Sequence, residues 1–172
     1  KGVSGNRIVD LYARIKKAVE RGSMIVEGGM WVESDTNLLS GESLIRQFIK
    51  GKTFIHDEFG VDSKIFWLPD SFGMVGSLPQ IMKGCGIRYF LNNKIMWQYN
   101  DGAEIPHSNF MWRGIDGTEI LTHLSVGYSC DMNPSTVLYK WKINKEKAEI
   151  PISLIEFGHG DVHYHHRRAK LL

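Results

Sequence analysis

The first half of the chain alternates helical and strand-like hydrophobic spacing. In residues 8–19 the apolar side chains recur at three- and four-residue intervals, which predicts an amphipathic helix that Gly22 can close. A second helix is predicted over 40–59, because Ser40 is a favourable N-cap residue and Gly60 can end the helix. A short third helix is predicted over 78–83, with a proline in its first turn.

Short apolar runs between these helices are typical of buried strands. They comprise residues 24–27, 64–67 and 87–91. Helices that alternate with apolar strands argue for a parallel sheet, either covered on its faces or closed as a barrel. The predicted fold class is therefore α/β.

The second half of the chain has a different pattern. Residues 109–112 and 119–123 are predicted to be two strands joined around an Asp-Gly turn, which makes Asp116 a turn residue rather than a catalyst. Helical spacing follows over 134–147, and an apolar run over 150–157 predicts a last strand.

Composition and charge indicate a globular protein without an obvious polyanionic partner. The 172 residues are 42% hydrophobic and 23% charged, which excludes wholesale disorder. The net charge of +2 gives no strong field for nucleic acid or an anionic membrane. No apolar run approaches the roughly 20 residues of a membrane span, and the first residues do not form a signal peptide. Because the chain starts without Met, we expect sequence to be missing upstream.

Two scattered cysteines, Cys85 and Cys130, form neither a disulfide framework nor a C-x-x-C motif. Their number favours a reducing compartment, and the cytoplasm is the predicted location.

Two aspartates follow predicted strands and are the first candidates for chemistry. Asp70 comes directly after 64–69, and Asp161 follows 150–157 and a glycine-containing turn. Glycoside hydrolysis uses such a pair, because one carboxylate attacks the anomeric carbon or directs water while the other protonates the leaving oxygen. The alternative for each is a turn aspartate bonded to its own backbone.

Aromatic and basic residues near these turns extend the candidate site. The rings are Trp31, Trp67, Phe72, Trp97 and Trp112. Sugars can stack on such rings, although core packing is the ordinary role of an aromatic side chain. Lys94 follows a predicted strand, and a cation near Asp70 would keep that carboxylate ionised. The alternative for Lys94 is an exposed lysine.

Four histidines cluster near the carboxyl end, at positions 159, 163, 165 and 166. Histidines can bind zinc or nickel, but a defined site needs ligands oriented by a scaffold. We interpret 162–172 as an atypical His/Arg-rich tail after a domain that spans 1–161.

Several motifs, in order, resemble the bacterial-type α-mannosidases of glycoside hydrolase family 38. They lie at 28–33, 35–38, 40–47, 67–73, 78–81 and 114–118. The resemblance covers about residues 7–161. It implies a zinc-dependent retaining α-mannosidase with an irregular α/β barrel of the seven-stranded type, acting on mannose-containing oligosaccharides. A homo-oligomer is compatible with it.

The resemblance also implies roles for individual residues. Asp70 occupies the position of the nucleophile and zinc ligand in the W-L-P-D-x-F-G motif, and Phe72 that of the aromatic beside the bound mannose. Lys94 and Trp97 match a lysine-x-x-tryptophan pattern near the substrate, where the basic residue supports the nucleophile. Asp161 matches the aspartate of a G-x-G-D motif and becomes the acid/base candidate.

The chain departs from the family pattern at the metal ligands. Relatives have a histidine-x-aspartate pair near the N-terminus and a later histidine-aspartate pair, and neither is present here. One zinc ligand out of about four does not hold the metal, so we expect a partial catalytic domain of a larger enzyme. Two alternatives stay open: a non-catalytic carbohydrate-binding remnant, and a metal-dependent enzyme similar to polysaccharide deacetylases.

Overall fold

The computed structural model of the chain describes residues 5–96, 105–127 and 130–157. Within these ranges the helices are α1 (Gly5–Glu20), α2 (Gly41–Phe59), α3 (Leu78–Gly84) and α4 (Pro134–Ile143). The four strands are β1 (Ile65–Trp67), β2 (Tyr89–Asn92), β3 (Asn109–Arg113) and β4 (Glu119–Leu124). A single 3₁₀ turn, Lys94–Met96, follows β2.

The strands form one mixed sheet in the order β1-β2-β4-β3. The pairs β1–β2 and β2–β4 are parallel, whereas β3 and β4 form the predicted antiparallel pair. Asp116 lies in the turn between them and accepts hydrogen bonds from the backbone and hydroxyl of Thr118, as expected for a turn residue. The α/β class is confirmed. Among the described residues the sheet is open, and the barrel remains a prediction.

The core lies between one face of the sheet and helices α2 and α3. The Phe48 ring meets the Phe66 ring edge-on at 5.0 Å, and Phe66 stacks on Phe90 at 5.4 Å. Helix α3 adds Leu78 and Met82, both fully buried. Burial of such side chains contributes about 1.5–3 kcal/mol each, so this layer holds β1 and β2 in place.

Helix α2 begins and ends where its sequence predicts. The Ser40 hydroxyl accepts a hydrogen bond from the Ser43 backbone N–H at 3.2 Å, which caps the first turn. Gly60 has a left-handed backbone, with φ of 68°, and donates to the His56 carbonyl at 2.8 Å. In the described part of the chain, no helix has both the length and the apolar character needed to cross a membrane.

The opposite face of the sheet is only partly covered by described residues: Leu91 is 4% exposed, whereas an apolar row across the middle of the face is about half exposed. Ile65, Tyr89, Leu121 and Met111 pair across all four strands and form one row on this face. Tyr89, Leu121 and Met111 are each about half exposed, at 46%, 45% and 52%. The next row toward the carboxyl end of β1 includes Trp67, Leu91 and His123.

The prediction of a strand over 24–27 is wrong. Ile25 is 83% exposed. Of this segment, the described bridge to β1 is made by Gly28, whose N–H donates to the Ile65 carbonyl and whose carbonyl accepts from the Trp67 N–H. Gly28 and Gly29 have φ angles of 138° and 79°, so the chain leaves extended geometry after a single bridge.

Two predictions near the carboxyl end are also wrong. With described residues, the run 150–157 forms a single bridge, between Phe157 and Cys130, and Ile152 is 74% exposed. Pro151 lacks the N–H that a strand ladder requires. Helix α4 stops at Ile143 rather than near 147, because the following residue, Asn144, has an extended backbone.

Candidate active site

The turn after β1 presents Asp70 at the carboxyl end of the sheet. Trp67 ends the strand, and Leu68 continues the pairing by donating its N–H to the Leu91 carbonyl at 3.0 Å. Leu68 and Pro69 are buried, whereas the Asp70 side chain is 46% exposed. A rigid buried strand end therefore carries an accessible carboxylate.

The structure brings Lys94 and Phe72 to Asp70. The Lys94 ammonium lies 2.9 Å from an Asp70 carboxylate oxygen and 4.9 Å from the centre of the Phe72 ring. Lys94 is nearly buried, with 8% of its side chain exposed, whereas Phe72 is 53% exposed. Pairing a buried cation with a half-exposed anion favours the ionised carboxylate over a neutral one.

Loop 33–36 packs along the Asp70 turn and adds a second carboxylate. The Ser71 hydroxyl donates to the Ser34 carbonyl at 3.1 Å, and the Thr36 hydroxyl donates to the Gly73 carbonyl at 2.7 Å. These bonds keep Glu33 near Asp70. Although Glu33 is exposed, partial desolvation and then the negative charge of Asp70 raise its pKa.

A cleft lies between residues 28–33 and the end of β1. Its volume is about 200 Å³, and its lining includes Trp31, Glu33 and Trp67. Trp31 and Trp67 are 44% and 37% exposed, so both indoles remain accessible from solvent. The cleft combines aromatic surface with a carboxylate, as a sugar-binding surface does.

The described residues do not by themselves fit a zinc site. Asp70 offers carboxylate oxygens, but in the described part of the chain no group of three or more histidine, cysteine, aspartate or glutamate side chains converges to hold a metal ion. A zinc site needs about three or four protein ligands. Asp161 and Trp97, the other predicted site residues, lie outside the described residues.

The sequence matches a known protein family over nearly its whole length. The profile of the glycosyl hydrolases family 38 N-terminal domain matches residues 5–171. The chain belongs to glycosyl hydrolase family 38. This confirms the family that the motifs indicate.

The family members most informative for this chain are α-mannosidases. Human alpha-mannosidase 2C1 is 44% identical over 158 residues, which is 91% of this chain and 15% of that protein. Alpha-mannosidase from Saccharomyces cerevisiae is 43% identical over 145 residues, or 83% of this chain and 13% of that protein. The chain thus spans about one seventh of the length of these relatives.

Solved structures agree with the family at the level of the fold. An alpha-mannosidase from Enterococcus faecalis superposes with a TM-score of 0.57 and 25% identity, covering 74% of this chain and 15% of that one. A 4-alpha-glucanotransferase from Thermococcus litoralis gives a TM-score of 0.54 at 16% identity, covering 67% of this chain and 18% of that one. The second likeness concerns the fold alone.

Two residues of this candidate site are not found by reasoning about single positions. Glu33 belongs to a family motif, but only the bonds between loop 33–36 and the Asp70 turn bring it near Asp70. Asn92 is fully buried at the end of β2 and contacts the Asp70 turn. The sequence signal for Asn92 is modest: two adjacent asparagines interrupt an apolar strand immediately before Lys94.

Proposed function

We propose that this chain contributes the nucleophile to a retaining, zinc-dependent α-mannosidase that removes terminal α-mannosyl units from glycans or oligosaccharides. The proposal rests mainly on the Asp70 carboxylate, held at a strand end 2.9 Å from the nearly buried Lys94 ammonium in a family 38 chain. An ionised, half-exposed carboxylate can attack the anomeric carbon and form a glycosyl-enzyme ester.

The second half of the reaction needs an acid that becomes a base. In a retaining mechanism this group protonates the departing oxygen, and then removes a proton from the water that hydrolyses the ester. We assign this role to Asp161. The two carboxyl groups would lie about 5–5.5 Å apart in the complete site.

The remaining predicted residues would bind the sugar and support the nucleophile. Lys94 counters the charge of Asp70 and lies over the Phe72 ring. That ring is still 53% exposed and offers surface to a mannose C–H face. Trp97 is proposed as a further contact. The cleft with Trp31 and Trp67 offers stacking surface beside the turn.

Zinc is part of the proposal, with Asp70 as one ligand and the others supplied from outside the described residues. When bound, the ion would orient sugar hydroxyls and withdraw charge from them as a Lewis acid. We also propose a cytoplasmic location, in keeping with two free cysteines, Cys85 and Cys130.

The test is aryl α-mannoside hydrolysis by the complete polypeptide that contains these 172 residues, and by the 172-residue chain itself. Chelation is expected to abolish release, and added zinc to restore it. Asp70→Asn should lower kcat at least about a thousandfold, because the ester cannot form. Asp161→Asn should lose most activity, with recovery on mannosides that have good leaving groups.

Each alternative outcome has a distinct meaning. Release that survives chelation would remove zinc from the account, and unchanged activity in Asp161→Asn would remove its assigned role. A folded, zinc-loaded protein that binds mannosides without releasing the aryl group would instead be a carbohydrate-binding remnant.

A further inference from the structure

The side chain of Asn92 joins the two segments that present Asp70 and Lys94. Its amide nitrogen donates to the carbonyl of Leu68 at 2.7 Å and to that of Ser71 at 3.0 Å. Its amide oxygen accepts a hydrogen bond from the backbone N–H of Ile95 at 2.8 Å. The first two bonds lie on either side of Asp70 in sequence, and the third lies next to Lys94.

These three bonds use both N–H donors and the oxygen of one buried amide group. Asn92 has no measurable solvent exposure, so each lost bond would leave a backbone group without water to replace it. The main chain adds two fixed points, since Asn93 N–H donates to the Pro69 carbonyl at 3.2 Å and Ser125 N–H to the Asn92 carbonyl at 2.9 Å. The end of β2 is therefore the common support of both segments.

We infer that Asn92 is a positioning residue that sets the distance between the Asp70 carboxylate and the Lys94 ammonium. The catalytic part of this inference rests on the proposed function, whereas the positional part does not. Two flexible or half-exposed side chains form a constant ion pair only if their backbones are fixed, and Asn92 fixes both with one side chain. Aspartate at this position could accept the Ile95 N–H but could not donate to the carbonyls of residues 68 and 71.

The positional part is tested by the coupling between Asp70 and Lys94. The coupling is obtained by urea unfolding from a double-mutant cycle, which consists of Asp70→Asn, Lys94→Met and the double variant. The cycle is measured in the wild-type and Asn92→Ala backgrounds. In the wild-type background we expect the interaction between Asp70 and Lys94 to change the unfolding equilibrium constant about two- to tenfold. In the Asn92→Ala background this factor should be about one, which means no coupling. Asn92→Thr, which keeps one hydroxyl donor, should retain part of it and serves if Asn92→Ala does not fold.

Glu27→Ala is the matched control for a merely structural effect. One Glu27 carboxylate oxygen also accepts three hydrogen bonds, from the Ser63 hydroxyl and from the backbone N–H groups of Lys64 and Ile65, at the opposite end of β1. The Glu27→Ala variant should therefore lower stability while leaving the coupling between Asp70 and Lys94 unchanged. An unchanged coupling in Asn92→Ala and Asn92→Thr, or an equal loss in Glu27→Ala, would overturn the inference.

The catalytic part is read from steady-state kinetics of the complete polypeptide. Asn92→Ala should lower kcat about ten- to a hundredfold per folded molecule, with KM changed less than about threefold, because displacement by about 1 Å costs that much in a reaction that depends on orientation. Glu27→Ala should leave kcat unchanged. If the wild-type protein hydrolyses no mannoside, the proposed function fails while the coupling experiment still decides the role of Asn92.

Discussion

At the scale of single residues, the site consists of charges whose surroundings differ. Lys94 is nearly buried and Asp70 half exposed, although the two form one ion pair. No cation of the described residues pairs with Glu33, and the negative charge of Asp70 adds to the effect of its desolvation. The same turn therefore favours one ionised carboxylate and disfavours a second.

This difference predicts a pH-dependent effect of Glu33→Gln. The pKa of the exposed Glu33 is raised above its ordinary value of 4.5, by partial desolvation first and by Asp70 second. Ionising Glu33 thus costs the folded state more than the unfolded state, and stability present below pH 4.5 is lost as pH rises through the folded pKa. The stability of Glu33→Gln relative to the wild type, measured by urea midpoints, should therefore increase between pH 4 and pH 7.

The size of this gain should depend on Asp70. In an Asp70→Asn background the second cause is absent, so the gain from Glu33→Gln should shrink. If Glu33→Gln changed stability equally at pH 4 and pH 7, or lowered stability more at pH 7, the raised pKa of Glu33 would be contradicted.

Sequence reasoning finds Asp70 because its position depends on local structure, a proline and a carboxylate at the end of an apolar run. It does not establish that Lys94 or Glu33 reaches Asp70, since those contacts require the register of β2 on β1 and the packing of loop 33–36. Such pairings follow from tertiary structure and leave little trace in local spacing.

At the scale of elements, one glycine allows a loop to lie against α2. A Cβ at Gly51 would stand 2.4 Å from the Met30 carbonyl carbon and 2.5 Å from the Gly29 oxygen. The same loop is tied to the helix by the Trp31 N–H, which donates to the Gln47 carbonyl at 3.0 Å. A glycine that weakens the sequence-based prediction of α2 is thus required by packing.

Gly51→Ala is therefore expected to lower stability even though alanine favours helices. Overpacking against backbone should cost about 1–3 kcal/mol, and displacement of the loop should also disturb the cleft at Trp31. Gly41→Ala in the same helix meets no atom within 4 Å and should be neutral or stabilising by about 0.5 kcal/mol. Thermal and urea unfolding check both; equal effects of the two changes would contradict the close approach.

Helices were more predictable than strands for a physical reason. Helix α2 has its own cap, its own end signal and a periodic apolar face. The runs 24–27 and 150–157 are as apolar as strands but find no extended partner, because Gly28 and Gly29 turn the first and Pro151 interrupts the second.

At the scale of the whole molecule, the sheet has one packed face and, on the other face, an accessible apolar row. Met111 and Leu121 pair directly across β3 and β4 on the accessible face. Contiguous exposed apolar surface favours association, whereas scattered single side chains do not. Among the described residues β3 has no strand partner on its outer side, and such an edge also favours association.

The double change Met111→Thr and Leu121→Thr should reduce concentration-dependent self-association of the 172-residue chain. Threonine keeps the strand preference while removing apolar area. Sedimentation velocity over a concentration series measures the effect. Val9→Thr with Leu38→Thr is the control, because these side chains are 70% and 82% exposed but lie apart from the sheet. An equal reduction by the control pair would refute the role of the sheet face.

For the whole molecule, the sequence indicated the family and the fold class but not the order of the strands or the closure of the sheet. Ordered motifs identified family 38 over nearly the whole chain, and the profile match over 5–171 confirms it. Closure of the sheet depends on strand partners, and local spacing does not specify those partners. The α/β class therefore followed from the pattern, whereas the four-strand order did not.

The nucleophilic role of Asp70 is tested most directly by trapping the glycosyl-enzyme. The complete polypeptide is mixed with an activated α-mannoside, quenched in acid during turnover and mapped by peptide mass spectrometry. We predict one mannosyl unit on the peptide that contains Asp70, attached to its carboxylate and absent in Asp70→Asn. A mannosyl unit on another residue, or turnover without any covalent adduct and with inverted product, would contradict this role.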